Sequence, residues 1–203
     1  MLNDPTASEH GSPGAVTGRG RFYEADYRNR LSSANKVGRA AWTVVSGTLF
    51  RWSPVLCFGW RRLLLRLFGA RLAATARVYP SCRIWAPWNL AMDDDACLGP
   101  DVHCLNVAAI SVGAEVTVSF GTVLCTASHD IHRADRRLIS GPITLERGAF
   151  LFAEAFICMN VTIGEGAVVA ARAFVRRDVA AYEVVAGNPA QVVAMRQMEP
   201  PSP

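Results

Sequence analysis

Few residues in this chain are equipped for chemistry. The stretch L-C-T-A-S-H-D at 124–130 sets His129 beside Asp130, and His132 follows in the same polar segment. An imidazole within hydrogen-bond reach of a hydroxyl can take its proton as the oxygen attacks a carbonyl, then return it to the departing group. Asp130 or a backbone carbonyl would hold the other ring nitrogen and fix the tautomer. Plainer readings stand beside these: a solvated loop histidine, and an aspartate that turns the loop. Arg176 and Arg177 form a cation pair suited to phosphate, or a solvated corner. Asp93, Asp94 and Asp95 read as an exposed turn rather than a cation site.

The elements that must position these groups are set by a period of six. In Ile143 to Ala180, large apolar residues recur at Leu145, Leu151, Ile157, Ile163, Val169 and Val175. Four residues after each stands a smaller one: Ala149, Ala155, Val161, Ala167, Ala173 and Val179. Six fits neither a helix nor a lone strand as the controlling length. It fits hexapeptide repeats, in which each hexad is a short strand plus a corner and three hexads close one coil of a parallel β-helix. The register continues upstream through Val112, Val118 and Leu124, and through Met92, Leu98 and Cys104. It slips by two after Cys104 and near Leu90, and Ser128 is assigned to a corner. The first coil is expected to begin near Val78, giving roughly four to five coils. The segment S-H-D-I-H-R-A-D-R-R-L-I-S-G-P is too polar for the wall and is expected to leave it as a loop over 129–142.

The chain of 203 residues suits one domain with a terminal extension. Residues 1–21 are rich in Gly, Ser, Thr and Pro and are expected to be disordered. Residues 22–74 form an N-terminal segment, polar and aromatic-bearing over 22–35 and strongly apolar over 36–72, with two helices expected at about 37–51 and 58–68, broken at Ser53-Pro54. Leu63, Leu64, Leu65, Leu67 and Phe68 make a wide apolar face bordered by Arg61, Arg62 and Arg66. This segment suits a cap on the open end of the solenoid. A second use is attachment to a membrane surface, its arginines meeting anionic lipid. No apolar run approaches a spanning helix. The β-helix is assigned to 75–195, closed by Gly187-Asn188-Pro189-Ala190, with a frayed tail at 196–203. The six cysteines include no C-x-x-C pair and read as buried thiols, which with the absence of an apolar leader points to the cytoplasm. A net charge of +4 selects no partner class.

W-R-R-L-L-L-R-L-F-G-A at 60–70, P-W-N-L at 87–90, L-C-T-A-S-H-D at 124–130 and V-V-A-G-N-P-A at 184–190 together resemble the colanic acid biosynthesis acetyltransferases. These belong with the galactoside and maltose acetyltransferases among the hexapeptide-repeat acyltransferases. The resemblance, over about residues 22–195, implies a left-handed parallel β-helix and a homotrimer. It also implies acetyl transfer from acetyl-CoA to a sugar hydroxyl in surface polysaccharide assembly. The hand is carried by the resemblance alone, because the general crossover rule favours the other.

The resemblance also makes His129 the catalytic base. It gives the pantetheine arm a groove between subunits, with Ala153 and Ala171 small enough to let it approach. Arg176 and Arg177 then face the phosphates, with Asn188 and Pro189 at that end of the groove. Departures fall beside this groove: Glu146, Phe152, Cys158 and Arg172 stand where glycine is usual, and Phe150 where tryptophan is. Gly99 and Val107 occupy positions where galactoside acetyltransferases hold their acceptor, so the acceptor itself stays open. A non-catalytic trimeric scaffold is the alternative. A zinc site of His103, His129 and His132, as in the γ-class carbonic anhydrases on the same prism, is disfavoured by the H-x-x-H spacing, and no metal is expected. No nucleic-acid partner is expected.

Overall fold

The structure, a computed structural model, describes residues 33–132 and 136–197. The tail expected to be disordered lies outside the described residues, as does most of the frayed end.

Short strands separated by corners wind into a three-sided prism. The first coil holds β1 (Arg71–Leu72), β2 (Arg77–Val78) and β3 (Arg83–Ile84). The second holds β4 (Leu90–Met92), β5 (Cys97–Leu98) and β6 (His103–Leu105). The third holds β7 (Ile110–Val112), β8 (Thr117–Val118) and β9 (Val123–Cys125). A hairpin of β10 (Ala127–His129) and β11 (Leu138–Ser140) then leaves the wall. The fourth coil is β12 (Ile143–Leu145), β13 (Phe150–Leu151) and β14 (Phe156–Ile157). The fifth is β15 (Val161–Ile163), β16 (Val168–Val169) and β17 (Phe174–Val175). β18 (Glu183–Ala186) begins a sixth, and β19 (Gln191–Met195) folds back on it antiparallel.

The three faces are the parallel stacks β1-β4-β7-β12-β15, β2-β5-β8-β13-β16-β18 and β3-β6-β9-β14-β17. Period-six residues Leu145, Leu151, Ile157, Ile163, Val169 and Val175 are all buried, as are the small residues four positions on. Burying each such large side chain contributes about 1.5–3 kcal/mol. Three expectations are corrected. The prism starts at Arg71, before Val78, because β1 needs only Leu72 inward and pairs with β4. It therefore has more coils than four to five. Ser128 is exposed on the hairpin, and Thr126, fully buried, takes the corner.

The two phase slips have one cause. Register advances 20 residues from Arg71 to Ala91 and from Ala91 to Ser111, but 18 from Ile143 to Val161. The two extra residues widen the same corner, between the third face and the first. There Asn106 Nδ2 donates to the carbonyl of Ala86 at 2.6 Å and its Oδ1 accepts from the Ala86 N–H at 3.0 Å. Thr126 Oγ1 donates to the Leu105 carbonyl at 2.8 Å and accepts from the Ala108 N–H at 3.0 Å. Both polar side chains are fully buried and each of their polar atoms is hydrogen-bonded, as burial demands. The hairpin leaves the next coil at this widened corner.

The lead-in folds as α1 (Ser33–Val45), running into a π-helical turn at Ser46–Phe50, and α2 (Phe58–Leu67). Ser53 and Pro54 fall in the break between them, as proline requires. These helices cover the open edge of the first coil. A bare strand edge leaves a row of unpaired carbonyls. Here Trp42 Nε1 donates to Ile84 at 2.7 Å, Arg61 Nε to Val78 at 2.6 Å, Arg62 Nη1 to Ala76 at 2.9 Å and Arg66 Nη2 to Leu72 at 2.7 Å. The arginines expected to border the apolar face thus bond the edge carbonyls of the prism, Arg61 buried, Arg62 half-buried and Arg66 exposed. Their cause is the unmet hydrogen-bonding capacity of that edge.

Candidate active site

His129 ends β10 on the projecting hairpin, and its side chain is exposed. β10 and β11 pair antiparallel, with His129 opposite Leu138. Arg136, just before β11, lies in the left-handed region at φ 42°, and its carbonyl turns to the ring: Nδ1 stands 2.6 Å from that oxygen. A carbonyl can only accept, so Nδ1 carries the proton and Nε2 keeps its lone pair. That is the tautomer a general base needs.

Asp130 does not hold the imidazole. Its Oδ1 accepts from the His132 N–H at 3.1 Å, its Oδ2 lies 3.8 Å from Arg137 Nε, and its own N–H donates to the Arg137 carbonyl at 3.0 Å. Asp130 therefore shapes the hairpin. The tautomer-fixing carbonyl of Arg136 carries no sequence signal, since any residue supplies a carbonyl.

The residues expected along the groove fall into two groups. Ala153 and Ala171 stand in one corner column, each two residues past the paired Leu151 and Val169. This corner joins the second face to the third, whereas the hairpin leaves the corner joining the third to the first. Within one chain the imidazole and the small-residue column therefore occupy different corners. Phe152, one of the departures from glycine, is about half exposed there, as is Phe120.

Arg176, Arg177 and Pro189 line a shared cavity of about 250 Å³ at the C-terminal end, with Gln191, Asp178 and Glu183. The two carboxylates are engaged, Asp178 by the Thr162 N–H at 2.7 Å and Glu183 by the Ala180 N–H at 2.9 Å. Arg176 and Arg177 are exposed and supply the cations of this cavity, beside the carboxylates of Asp178 and Glu183. Asn188 is exposed in the turn that begins β19's return, and its bond to Pro189 is cis. Arg172, at φ 60°, is tied to Glu154 at 2.5 Å.

His103 lies on β6, half-buried beneath the cap, while His132 is exposed on the hairpin. Among the described residues, no three of His, Cys, Asp and Glu converge as metal ligands. No described helix is long and apolar enough to cross a membrane. All six cysteines are free, and Cys57 departs from the buried-thiol expectation by being exposed.

No protein-family profile matches the chain. Individual proteins do. WcaF of Escherichia coli K12, a proposed acetyltransferase of colanic acid biosynthesis, is 37% identical over 162 residues, 80% of this chain and 89% of that protein. A hexapeptide-repeat acetyltransferase of Vibrio cholerae, VCA0836, solved with acetyl-CoA, superposes with a TM-score of 0.74 at 26% identity, covering 83% of this chain and 92% of that one. Galactoside acetyltransferase solved with coenzyme A shares the fold, with a TM-score of 0.75 at 20% identity over 82% of this chain and 84% of that one. Coiled wall and similarity over most of both chains agree: the chain belongs to the hexapeptide-repeat acyltransferases, with the acetyltransferases of the colanic acid type.

Proposed function

We propose that this protein is an acetyl-CoA-dependent O-acetyltransferase that acetylates a sugar hydroxyl during assembly of a cell-surface polysaccharide. The observation that carries the reading is the exposed His129, whose Nδ1 stands 2.6 Å from the Arg136 carbonyl, so that Nε2 is the ring nitrogen suited to take a proton. The acceptor oxygen attacks the thioester carbonyl as Nε2 takes its proton. The tetrahedral intermediate collapses, the C–S bond breaks, and the imidazolium returns the proton to the thiolate. The products are a sugar acetate and free CoA.

The working unit of this proposal is a homotrimer in the cytoplasm. The hairpin and the Ala153–Ala171 column sit on different corners, so a neighbouring copy would bring them together. The groove would hold the pantetheine arm, Arg176 and Arg177 would meet the phosphates, and Asn188 and Pro189 would border that end.

His129→Ala, assayed for CoA release and for acetylated sugar, should lose about 100-fold or more in kcat. An unchanged rate would remove the proposed base. The acetylated product should be an alkali-labile ester; an amide would replace the hydroxyl acceptor with an amine.

A further inference from the structure

Helix α2 is amphipathic in the unusual sense. Trp60, Leu63 and Leu67 follow the i, i+3, i+7 spacing of one helical face and are 42%, 49% and 72% exposed, and Leu56, just before the helix, is 87% exposed. The inward side of the helix carries Arg61, Leu64 and Leu65, all buried. A helix on the surface of a soluble protein ordinarily turns its apolar stripe to the core. Here the cations Arg61, Arg62 and Arg66 are turned inward onto carbonyls, and the apolar stripe is left outward.

The stripe continues into the turn before α2. Trp52 is 82% exposed and Leu49 52%. Trp60 Nε1 donates to the Leu49 carbonyl at 3.0 Å, fixing α2 against the π-helical turn. Arg61 Nη1 binds Ser53 Oγ at 2.9 Å and the Pro54 carbonyl at 2.7 Å, and Nη2 binds the Val55 carbonyl. The backbone is thus drawn inward and the apolar tip is held out by a rigid clamp.

Beside this tip lies a basic cavity of about 320 Å³, between α1 with its π-helical turn and the third face. Arg39, Arg51, Arg83 and His103 line it, with Ser46 and Trp85. Arg39 stacks on the Trp85 ring at 3.9 Å. Among the described residues no carboxylate pairs with Arg39, Arg51 or Arg83. Burial and the Arg83 charge both push the His103 imidazole below its usual range. Like charges gathered without a counter-charge are completed by an anion. Arg51 lines this cavity and directly precedes Trp52, so cavity and tip adjoin.

We propose that the cap end of the prism docks on an anionic bilayer, with Trp52, Leu56, Trp60, Leu63 and Leu67 entering the acyl boundary and the Arg39–Arg51–Arg83 cavity taking a lipid phosphate. Charge selects this occupant. From Ser33 to Met92 the chain holds nine Lys and Arg and no Asp or Glu, although its total net charge is only +4. A second copy placed face to face would meet the same cations. Residues 1–32 hold four acidic and four basic residues and offer no net counter-charge. An anionic lipid surface matches both the charge and the apolar stripe, and tryptophan favours that interface.

The test is flotation of the full-length protein with vesicles of phosphatidylcholine, with and without phosphatidylglycerol. Wild type should bind the phosphatidylglycerol vesicles, weaken in high salt, and show a blue-shifted tryptophan emission. Trp52→Ser with Leu56→Ser should reduce binding about tenfold or more. Arg51→Glu with Arg83→Glu should abolish the preference for phosphatidylglycerol. Unchanged melting temperatures establish that these variants fold. Absence of vesicle binding overturns the proposal, as does undiminished binding by both variants. A change of oligomeric state in the Trp52/Leu56 variant also overturns it, since that would mean a second copy covers the stripe. So does shielding of the tryptophans from acrylamide before vesicles are added, which would mean the chain's own residues cover it. None of these outcomes depends on acetyl transfer.

Discussion

Arg61 Nε donates to the carbonyl oxygen of Val78 at 2.6 Å, with the whole Arg61 residue removed from solvent. One guanidinium thereby joins α2, the Ser53–Val55 turn and the first coil of the prism. Burial lowers the affinity of this group for its proton, and the ring of carbonyls offsets that cost. Arg61→Leu strands the Val78, Pro54 and Val55 carbonyls. We expect a loss of about 3 kcal/mol, read as a fall of roughly 6–12 °C in the melting temperature. Arg61→Lys should recover little, because a point charge cannot serve a forked site.

The hairpin predicts a different split. Asp130 contacts the His132 N–H and Arg137 rather than the imidazole. Asp130→Asn keeps an acceptor at Oδ1, so kcat should stay within about tenfold of wild type. An aspartate that held the ring would behave otherwise, with a loss of about 10⁴-fold on the same change. Steady-state kinetics on the two proteins decides between these roles.

Arg176 and Arg177 share a cavity with Pro189 and Gln191 at the C-terminal end. If that cavity takes the phosphates of CoA, Arg176→Ala with Arg177→Ala should raise KM for acetyl-CoA about tenfold and leave kcat nearly unchanged. The split between KM and kcat is the readout. Equal losses in both would place these arginines elsewhere in the mechanism.

The thiols should separate by burial. Cys57 is exposed, whereas Cys82 and Cys104 are buried. Burial pushes the Cys104 thiol from 9.0 up to about 12, and Cys82 is also pushed up, chiefly by burial. In native protein an aromatic disulfide reagent should modify Cys57 rapidly, and Cys82 and Cys104 only in denaturant. The raised folded pKa also sets a sign for stability. The stabilisation is complete below the unfolded value of 9.0 and is lost as pH climbs towards about 12. Melting temperature should therefore fall above about pH 9, less steeply in Cys104→Ala.

Six-residue spacing made the wall legible, because every sixth side chain must enter the same prism and water excludes anything else there. Its beginning was harder to read. β1 asks for one inward residue, Leu72, too few to reveal a period. The slips of two were visible as interruptions, but their meaning was not. Only the stacking of Ala86, Asn106 and Thr126 shows them to be one widened corner repeated. At the candidate site, the S-H-D setting marked where the chain leaves the wall, and His129 does end the strand that leaves it.

What the sequence determined alone is the repeat, the break that releases the hairpin and the two helices ahead of the prism. These are local in the chain: patterns of size and polarity fixed over six or ten residues. Tertiary structure decided which way α2 faces, which proton sits on His129 and which groups share a cavity. Each depends on a backbone carbonyl or an open strand edge brought from elsewhere. Carbonyls are the same in every residue, so the chain's letters do not announce where they will point.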